Sequence, residues 1–335
     1  MLFSLLSVTS LLGVLLTACK AAPSVSLISN TQLDPNGIFF ISYDGVVNVN
    51  SFQLSGVLTY GNWQYVGWYT ASRAAMLARR QLPSGGWSTL QLPHQLSTDD
   101  SHNVIALGVS PGDGKIHVAL DCHSTQVFYT SSEAGFATSG ASWTASRFGP
   151  ITTTLGNLNI GRSVQSCVQS WFCSQCSAFS VHSTITYPQF VVTPDNLLQF
   201  VFRSGVSGNG ATQLAEYNAG VWSNVGSWAS ASGTYTSTNG ATSTARNLYI
   251  HGFTYGSGSA HVTGTWREQN GAVSCSSGGL TNHDTTYFYS QDKGIPRTLL
   301  FPGPFSHRHY SVLRQDMEEQ CWNSHWDVRL QSCER

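Results

Sequence analysis

The sequence predicts an all-β fold, a β-propeller of four-stranded blades, and three observations predict it. Only 10% of the 335 residues are charged, against 12% aromatic residues and 32 glycines. A chain rich in Gly, Ser, Thr, Asn and aromatics suits short strands and many turns rather than long helices. Alternating apolar and polar runs recur, broken by Gly, Asp and Asn turn signals, which is the pattern of hairpins. The unit of hairpin followed by a Trp-rich stretch returns at intervals of roughly 45–60 residues, the spacing of propeller blades. A β-sandwich does not require that periodic return of Trp.

Taken in order, "MLFSLLSVTSLLGVLLTACKAAPS" opens with an apolar run too short to cross a membrane comfortably and ends in small residues. It reads as a signal peptide over residues 1–22, and so as secretion into an oxidising compartment. "LTAC" also fits a lipoprotein box with Cys19 as the lipid site. Cleavage leaves Cys122, Cys167, Cys173, Cys176, Cys275, Cys321 and Cys333, an odd set with one thiol free or paired between chains.

The first strand unit is "WQYVGWYTASRAAMLARRQLPSGGWSTLQL". The second is "SHNVIALGVSPGDGKIHVALDCHS" with "TQVFYTSS" and "GASWTASRFG". The third is "ITYPQFVVTPDNLLQFVFRSG" with "TQLAEYNAGVWSNVGSW", and the fourth "ARNLYIHGFTYGSGSAHVTGTWRE" with "TTYFYSQDKG". "SWASASGTYTSTNGATSTA" reads as loop. Residues 40–294 leave room for about five blades at this repeat length, so residues 23–294 are expected to be the propeller. Residues 295–335 lose the alternation and concentrate Pro, charge and Trp, as a truncated or misread C-terminus would. They are expected to stand outside the blades.

A net charge of −1 gives no global field for nucleic acid or a membrane surface. An acidic ligand would have to be met by local arginines. No Walker or dinucleotide pattern occurs. "SCVQSWFCSQCS" holds a lone CxxC at Cys173 and Cys176, which secretion makes a disulfide-stapled loop rather than a zinc site.

Register counting finds candidate chemistry at the hairpin ends. A bend at Gly112 and Asp113 sets Val109 opposite Ile116, and counting outward sets His102 opposite His123. Directly opposed residues share a sheet face. Centring "TPDNL" on Asp195 sets Tyr187 opposite Arg203. A bend at Ser257 and Gly258 sets Tyr249 opposite Trp266 and Leu248 opposite Arg267. Three hairpins thus carry polar, titratable groups at their open ends, which a propeller brings to one axial face. Each has a plainer reading. The histidines can be a structural pair, and Tyr187 can bury its ring ahead of Pro188. Arg203 can brace the "SGVSGNG" loop, and Arg267 can pair with Glu268. His117 alternates oppositely to His123 and reads as a satisfied sheet residue, while His251 and His261 fit either role. The combination of groups is what favours a site.

"SHNVIALGVSPGDGKIHVALDCHS", "TYPQFVVTPDNLLQFVFRSGVSGNG", "HVTGTWRE" and "NHDTTYFYSQDKG" together resemble the BNR-repeat family of secreted β-propellers. That family includes lyases acting on ulvan and fungal lyases that cleave rhamnosyl–glucuronate linkages. The resemblance covers roughly residues 38–294 and implies a seven-bladed propeller, more than this length of chain completes. It also implies β-elimination at a glucuronate or iduronate, by a secreted monomer of fungal type acting on an acidic polysaccharide. β-Elimination needs the C6 carboxylate neutralised, for which a bidentate Arg is suited. It also needs a base for the C5 proton and an acid for the departing O4. Carried over by motif, Arg203 would neutralise the carboxylate and His123 and Tyr187 would be the acid and base. His102 would orient them or share the proton work, and Tyr249, Arg267 and Arg246 would contact substrate. No obligate cofactor is implied. A structural zinc or calcium ion is expected at Cys275, His283 and Asp284.

A sialidase-like hydrolase on the same fold would want two carboxylates flanking the bond. Asp99, Asp100, Asp121 and Asp284 are present with no pairing evident in the sequence. A glycan-binding propeller without activity is the non-enzyme alternative.

Overall fold

The computed structural model describes residues 25–40, 56–160, 184–237, 239–273 and 282–294, with the backbone of 311–313. Met1–Pro35 and Asn36–Arg335 form two units. Residues 25–35 contain no strand, and every strand below belongs to the second unit. The expected signal peptide and the cysteines at 167, 173, 176, 275, 321 and 333 lie outside the described residues.

The first sheet is a meander of β1 (Val57–Tyr60), β2 (Trp63–Tyr69), β3 (Ala74–Gln81) and β4 (Ser88–Gln95). Next come β5 (Val104–Val109), β6 (Ile116–Asp121), β7 (His123–Thr125) and β8 (Phe128–Ser131). β5, β6 and β8 form the second sheet, while β7 leaves to join the third. The third runs β12-β11-β10-β9-β7, built from β9 (Ile185–Val192), β10 (Leu198–Val206), β11 (Asn209–Asn218) and β12 (Val221–Ala229). The fourth is β13 (Ser232–Thr236), β14 (Thr242–Gly256), β15 (Ser259–Glu268), β16 (Asn282–Ser290) and β17 (Ser311–Leu313). Four sheets are therefore present among the described residues, where about five blades were expected. The Ser/Thr-rich stretch read as loop supplies β13 and the start of β14. It has few large apolar residues, but alternating exposure suffices for an outer strand.

Turn chemistry explains the hairpins. Gly61 and Asn62, Ser207 and Gly208, Ala219 and Gly220, and Ser257 and Gly258 are two-residue connections between paired strands. Ala219, Gly220, Ser257 and Gly258 all have positive φ, the backbone that matches the twist of a two-residue hairpin.

Apolar layers between successive sheets form the core. Tyr65, Leu77, Leu107, Val118 and Phe136 fill the first layer. Ala106, Ala119, Phe200 and Trp222 belong to the second, and Val201, Leu214, Leu248 and Val262 to the third. Each fully buried Leu or Phe side chain contributes roughly 1.5–3 kcal/mol. β5 approaches β9 closely because Gly108 has no side chain: a Cβ there would lie 2.5 Å from the Cβ of Phe190.

The register of β5 and β6 is the one counted from the sequence, Val109 opposite Ile116 through Val104 opposite Asp121. The other two hairpins depart from it by one residue. In the third sheet Val201 pairs with Gln189, but Arg203 pairs with Thr186 instead of Tyr187. In the fourth, Gly252 pairs with Thr263, but Tyr249 pairs with Thr265 and Leu248 with Trp266. Both shifts are β-bulges, which insert one unpaired residue and restart the count. Pro188 helps to explain the first, since it has no N–H for the ladder.

Candidate active site

The three hairpin ends meet at one place. Beyond Asp121 the chain leaves the second sheet through two successive residues with positive φ, Asp121 at 59° and Cys122 at 61°. His123 then begins β7 and pairs with Thr186 of the third sheet. Its ring still stacks on His102, with centroids 4.3 Å apart and planes 17° apart. The two histidines adjoin as the count predicted, although His123 arrives as the first residue of a different sheet.

Asp100 ties them together. Its Oδ2 lies 2.6 Å from His123 Nδ1, and its Oδ1 lies 2.7 Å from His102 Nδ1 and 2.9 Å from the His102 N–H. Those hydrogen bonds outweigh the cost of burial and hold the Asp100 carboxyl below the usual carboxylate range. An ionised Asp100 makes Nδ1–H the donor on His123 and presents Nε2 as the proton acceptor. Burial lowers the pKa of His123 against the pull of Asp100, helped by the charges of His102 and Arg203, so the ring is neutral at pH 7. Sequence reasoning weighed Asp100 only as half of a hydrolase carboxylate pair. The local signal was "DDSH", an Asp two residues before a His, where the side chain can cap the backbone N–H.

Tyr187 is the bulge residue of β9, with φ 59°, and its N–H donates to Cys122 O at 3.0 Å. Its ring lies 5.4 Å from His123, 6.3 Å from His102 and 6.0 Å from Tyr249. Burial, with Tyr249 beside it, pushes its phenol well above the ordinary 10.0 despite Arg203, so it holds its proton. Arg203 is 5% exposed, with its guanidinium carbon 5.0 Å from the Tyr187 ring centre. Its Nη1 donates to Tyr249 OH at 3.3 Å, and its Nε is buried without a hydrogen bond among the described residues. No carboxylate pairs with it there. A buried cation without a counter-ion is costly.

Arg267 Nη1 also donates to Tyr249 OH at 3.3 Å, and Ser207 Oγ lies 3.1 Å away. Burial would raise the Tyr249 phenol. The Ser207 contact and the two guanidiniums outweigh it and lower the pKa. The structure thus gathers His102, His123, Tyr187, Arg203, Tyr249 and Arg267. It does not bring Arg246 there: Arg246 stacks on Trp266, 4.1 Å from the ring centre, on the other face of the sheet from Tyr249 and Arg267. Strand alternation separates them, since Arg246 is an odd number of residues from Tyr249 with no bulge between.

Of the expected metal set, His283 and Asp284 adjoin. Cys275 lies outside the described residues. His283 Nε2 meets the buried Glu268 at 2.9 Å and Nδ1 meets Asp284 at 3.1 Å, so the two carboxylates occupy different edges of one ring. Glu268 therefore faces His283 and not Arg267. Among the described residues only Asp100, His102 and His123 gather three ligand-type atoms within 4.8 Å of one another. Asp99 turns to Arg73 at 3.3 Å, and Asp121 is fully buried against Tyr69 and His94. No flanking carboxylate pair emerges from the four acids considered. His117 is a buried sheet residue as expected, bonded to Tyr129 OH at 2.7 Å. His261 bonds to Tyr287 OH and Gly256 O, and His251, the bulge residue of β14, to Thr265. A cavity of about 330 Å³ lined by Leu58, Leu107, Phe190, Leu198 and Phe253 includes none of His102, His123, Tyr187 and Arg203.

Comparison with known proteins gives a family and a fold. Residues 63–298 match the model of the "BNR repeat-containing family member" group. The chain is 28% identical over 186 residues to the long isoform of ulvan lyase from Pseudoalteromonas sp. (strain PLSV), an alignment covering 49% of this chain and 18% of that protein. It is 26% identical over 264 residues to the short isoform from Alteromonas sp. (strain LOR), covering 61% of this chain and 48% of that protein. The chain thus spans less than half the length of either relative. The crystal structure of polysaccharide lyase Uly1 superposes with a TM-score of 0.56 at 20% identity, over 83% of this chain and 59% of that one. The all-β, propeller-type architecture is shared with it.

Proposed function

Because the chain belongs to the BNR repeat-containing family, we propose that it is a polysaccharide lyase that cleaves a uronate linkage by β-elimination. The observation that carries the reading is Arg203: a buried guanidinium with no carboxylate partner among the described residues, set against a neutral imidazole and a protonated phenol.

In the proposed step the substrate C6 carboxylate lies against Arg203, with Arg267 beside it. His123 Nε2 takes the C5 proton, and the C5–H electron pair passes into the carboxylate as an enediolate held by the guanidinium. That pair then forms the C4–C5 double bond as the C4–O4 bond breaks, and Tyr187 OH protonates O4. Asp100 keeps His123 in the Nδ1–H tautomer and stabilises the imidazolium that forms. His102, on the same carboxylate, fixes the orientation of the pair.

The substrate in this reading is a glucuronate or iduronate linked to rhamnose in an acidic polysaccharide. Ulvan lyase relatives support that class. Secretion, supported by the apolar N-terminal run and the small residues after it, belongs to the same reading, as does a monomeric state. The test is to incubate the protein with glucuronate-containing polysaccharides, following ultraviolet absorbance and reducing ends together. Absorbance with new reducing ends supports the lyase. Reducing ends without absorbance would identify a hydrolase, and binding without either a lectin.

A further inference from the structure

Asp121 is the residue at which the chain changes sheets, and nothing in the elimination step uses it. It is fully buried, yet it carries a carboxylate. Tyr69 OH of β2 donates to its Oδ1 at 2.6 Å and also accepts its backbone N–H at 2.9 Å. His94 Nε2 of β4 lies 3.0 Å from the same Oδ1, and the Ser97 N–H donates to Oδ2 at 3.0 Å. The first sheet therefore grips one residue of the second by both side chain and backbone. The hydrogen bonds to this carboxylate hold it below the usual range despite burial.

What that grip holds is a conformation the chain would not keep unaided. Asp121 and Cys122 both sit in the left-handed region, which residues with a Cβ disfavour and which persists only where the surroundings over-determine it. Two products emerge from this turn. The next residue, His123, is delivered to Asp100, with its N–H donating to Asn103 Oδ1 at 3.1 Å. The Cys122 carbonyl accepts the N–H of Tyr187 at 3.0 Å and so fixes the bulge that carries the phenol. One two-residue turn thus places both groups assigned to proton transfer, whose rings lie 5.4 Å apart.

We infer that Asp121, clamped by Tyr69 and His94, is a positioning residue that sets the separation of His123 and Tyr187. The inference rests on the lyase reading for its kinetic consequence but not for its structural one. Tyr69 and His94 do not touch the proton-transfer groups and act through the turn. Acid and base must be held to within about an ångström, and misplacement by that much costs on the order of 10²-fold in rate.

The experiment compares Tyr69→Phe, His94→Ala and His94→Gln with the parent protein. Steady-state kinetics are read on a glucuronate polysaccharide, and the ring nitrogens of His123 by NMR of histidine-labelled protein. Tyr69→Phe and His94→Ala are expected to lower kcat by roughly 10- to 100-fold with KM changed less than twofold. The His123 signals should also lose their single Nδ1–H tautomer. His94→Gln, which keeps a donor for Asp121, is expected to recover most of both. Lower thermal stability with parental kcat per folded molecule and unchanged His123 signals would overturn the inference, leaving the clamp purely structural. Absence of unsaturated product from the parent protein would defeat the lyase reading alone. The NMR comparison would then still decide the positioning role.

Discussion

The carboxylate of Asp100 lies 2.6 Å from Nδ1 of His123, although the two belong to segments 23 residues apart that enter different sheets. This contact fixes the orientation of one of two stacked histidines, the one proposed as base. Asp100→Asn is expected to lower kcat by roughly 10- to 100-fold with a smaller effect on KM. The two imidazoles meet different oxygens of Asp100, and an amide has only one. Steady-state kinetics with the folded variant check this, and parental kcat would remove Asp100 from the mechanism.

Arg203→Ala is expected to lower kcat/KM by roughly 10²–10³-fold, the usual loss for one donor to a developing oxyanion. Arg203→Lys should recover little, because an ammonium cannot present the same paired donors to a carboxylate. Product absorbance with equal folded protein measures both.

The pH profile of kcat/KM carries its own sign. His123 must be neutral to act as base, and its pKa lies below the ordinary 6.5. Activity should therefore rise with pH through a point below 6.5 and be lost as pH falls through it. Tyr187 holds its proton beyond the ordinary 10.0, so its own loss of protonation should not limit activity at neutral pH. An acid limb centred well above 6.5 would contradict the assignment of His123.

His117 governs stability rather than activity. It is fully buried among Tyr129, Phe190, Tyr217 and Trp222, and burial lowers its pKa to about 3. Its folded pKa lies below the unfolded value, so the unfolded chain binds the extra proton between these limits. Stability is complete above about pH 6.5 and declines as pH falls toward 3, by up to on the order of 4 kcal/mol. Denaturant titrations across that range should show the decline, and His117→Gln should flatten its slope.

Gly108→Ala tests the seam between the second and third sheets. The added Cβ would meet Phe190 Cβ at 2.5 Å and Cγ at 2.6 Å, atoms held close to the β9 backbone. A loss of about 1–3 kcal/mol is expected, readable as a lower denaturation midpoint. Phe190→Leu keeps the clashing Cβ and Cγ and should recover little of it.

The sequence by itself determined the class of fold and most of the candidate site. Alternation and Gly-containing turns are local signals, and a turn fixes its hairpin register by simple counting. That is why Val109 and Ile116 pair as counted, and why His102 and His123 meet. Arg203, Tyr187, Tyr249 and Arg267 converge for the same reason, each near the end of a readable hairpin. What only the tertiary structure decided follows from events that no turn signal marks. Bulges at Tyr187 and His251 shifted two registers by one residue. Asp100 gained its role because the chain turns at Asp121 and Cys122 and carries His123 across to a neighbouring sheet. That turn is held by Tyr69 and His94, which are distant in sequence. Sheet periodicity propagates along a strand, but which strand a residue joins after a bend is set by contacts between sheets.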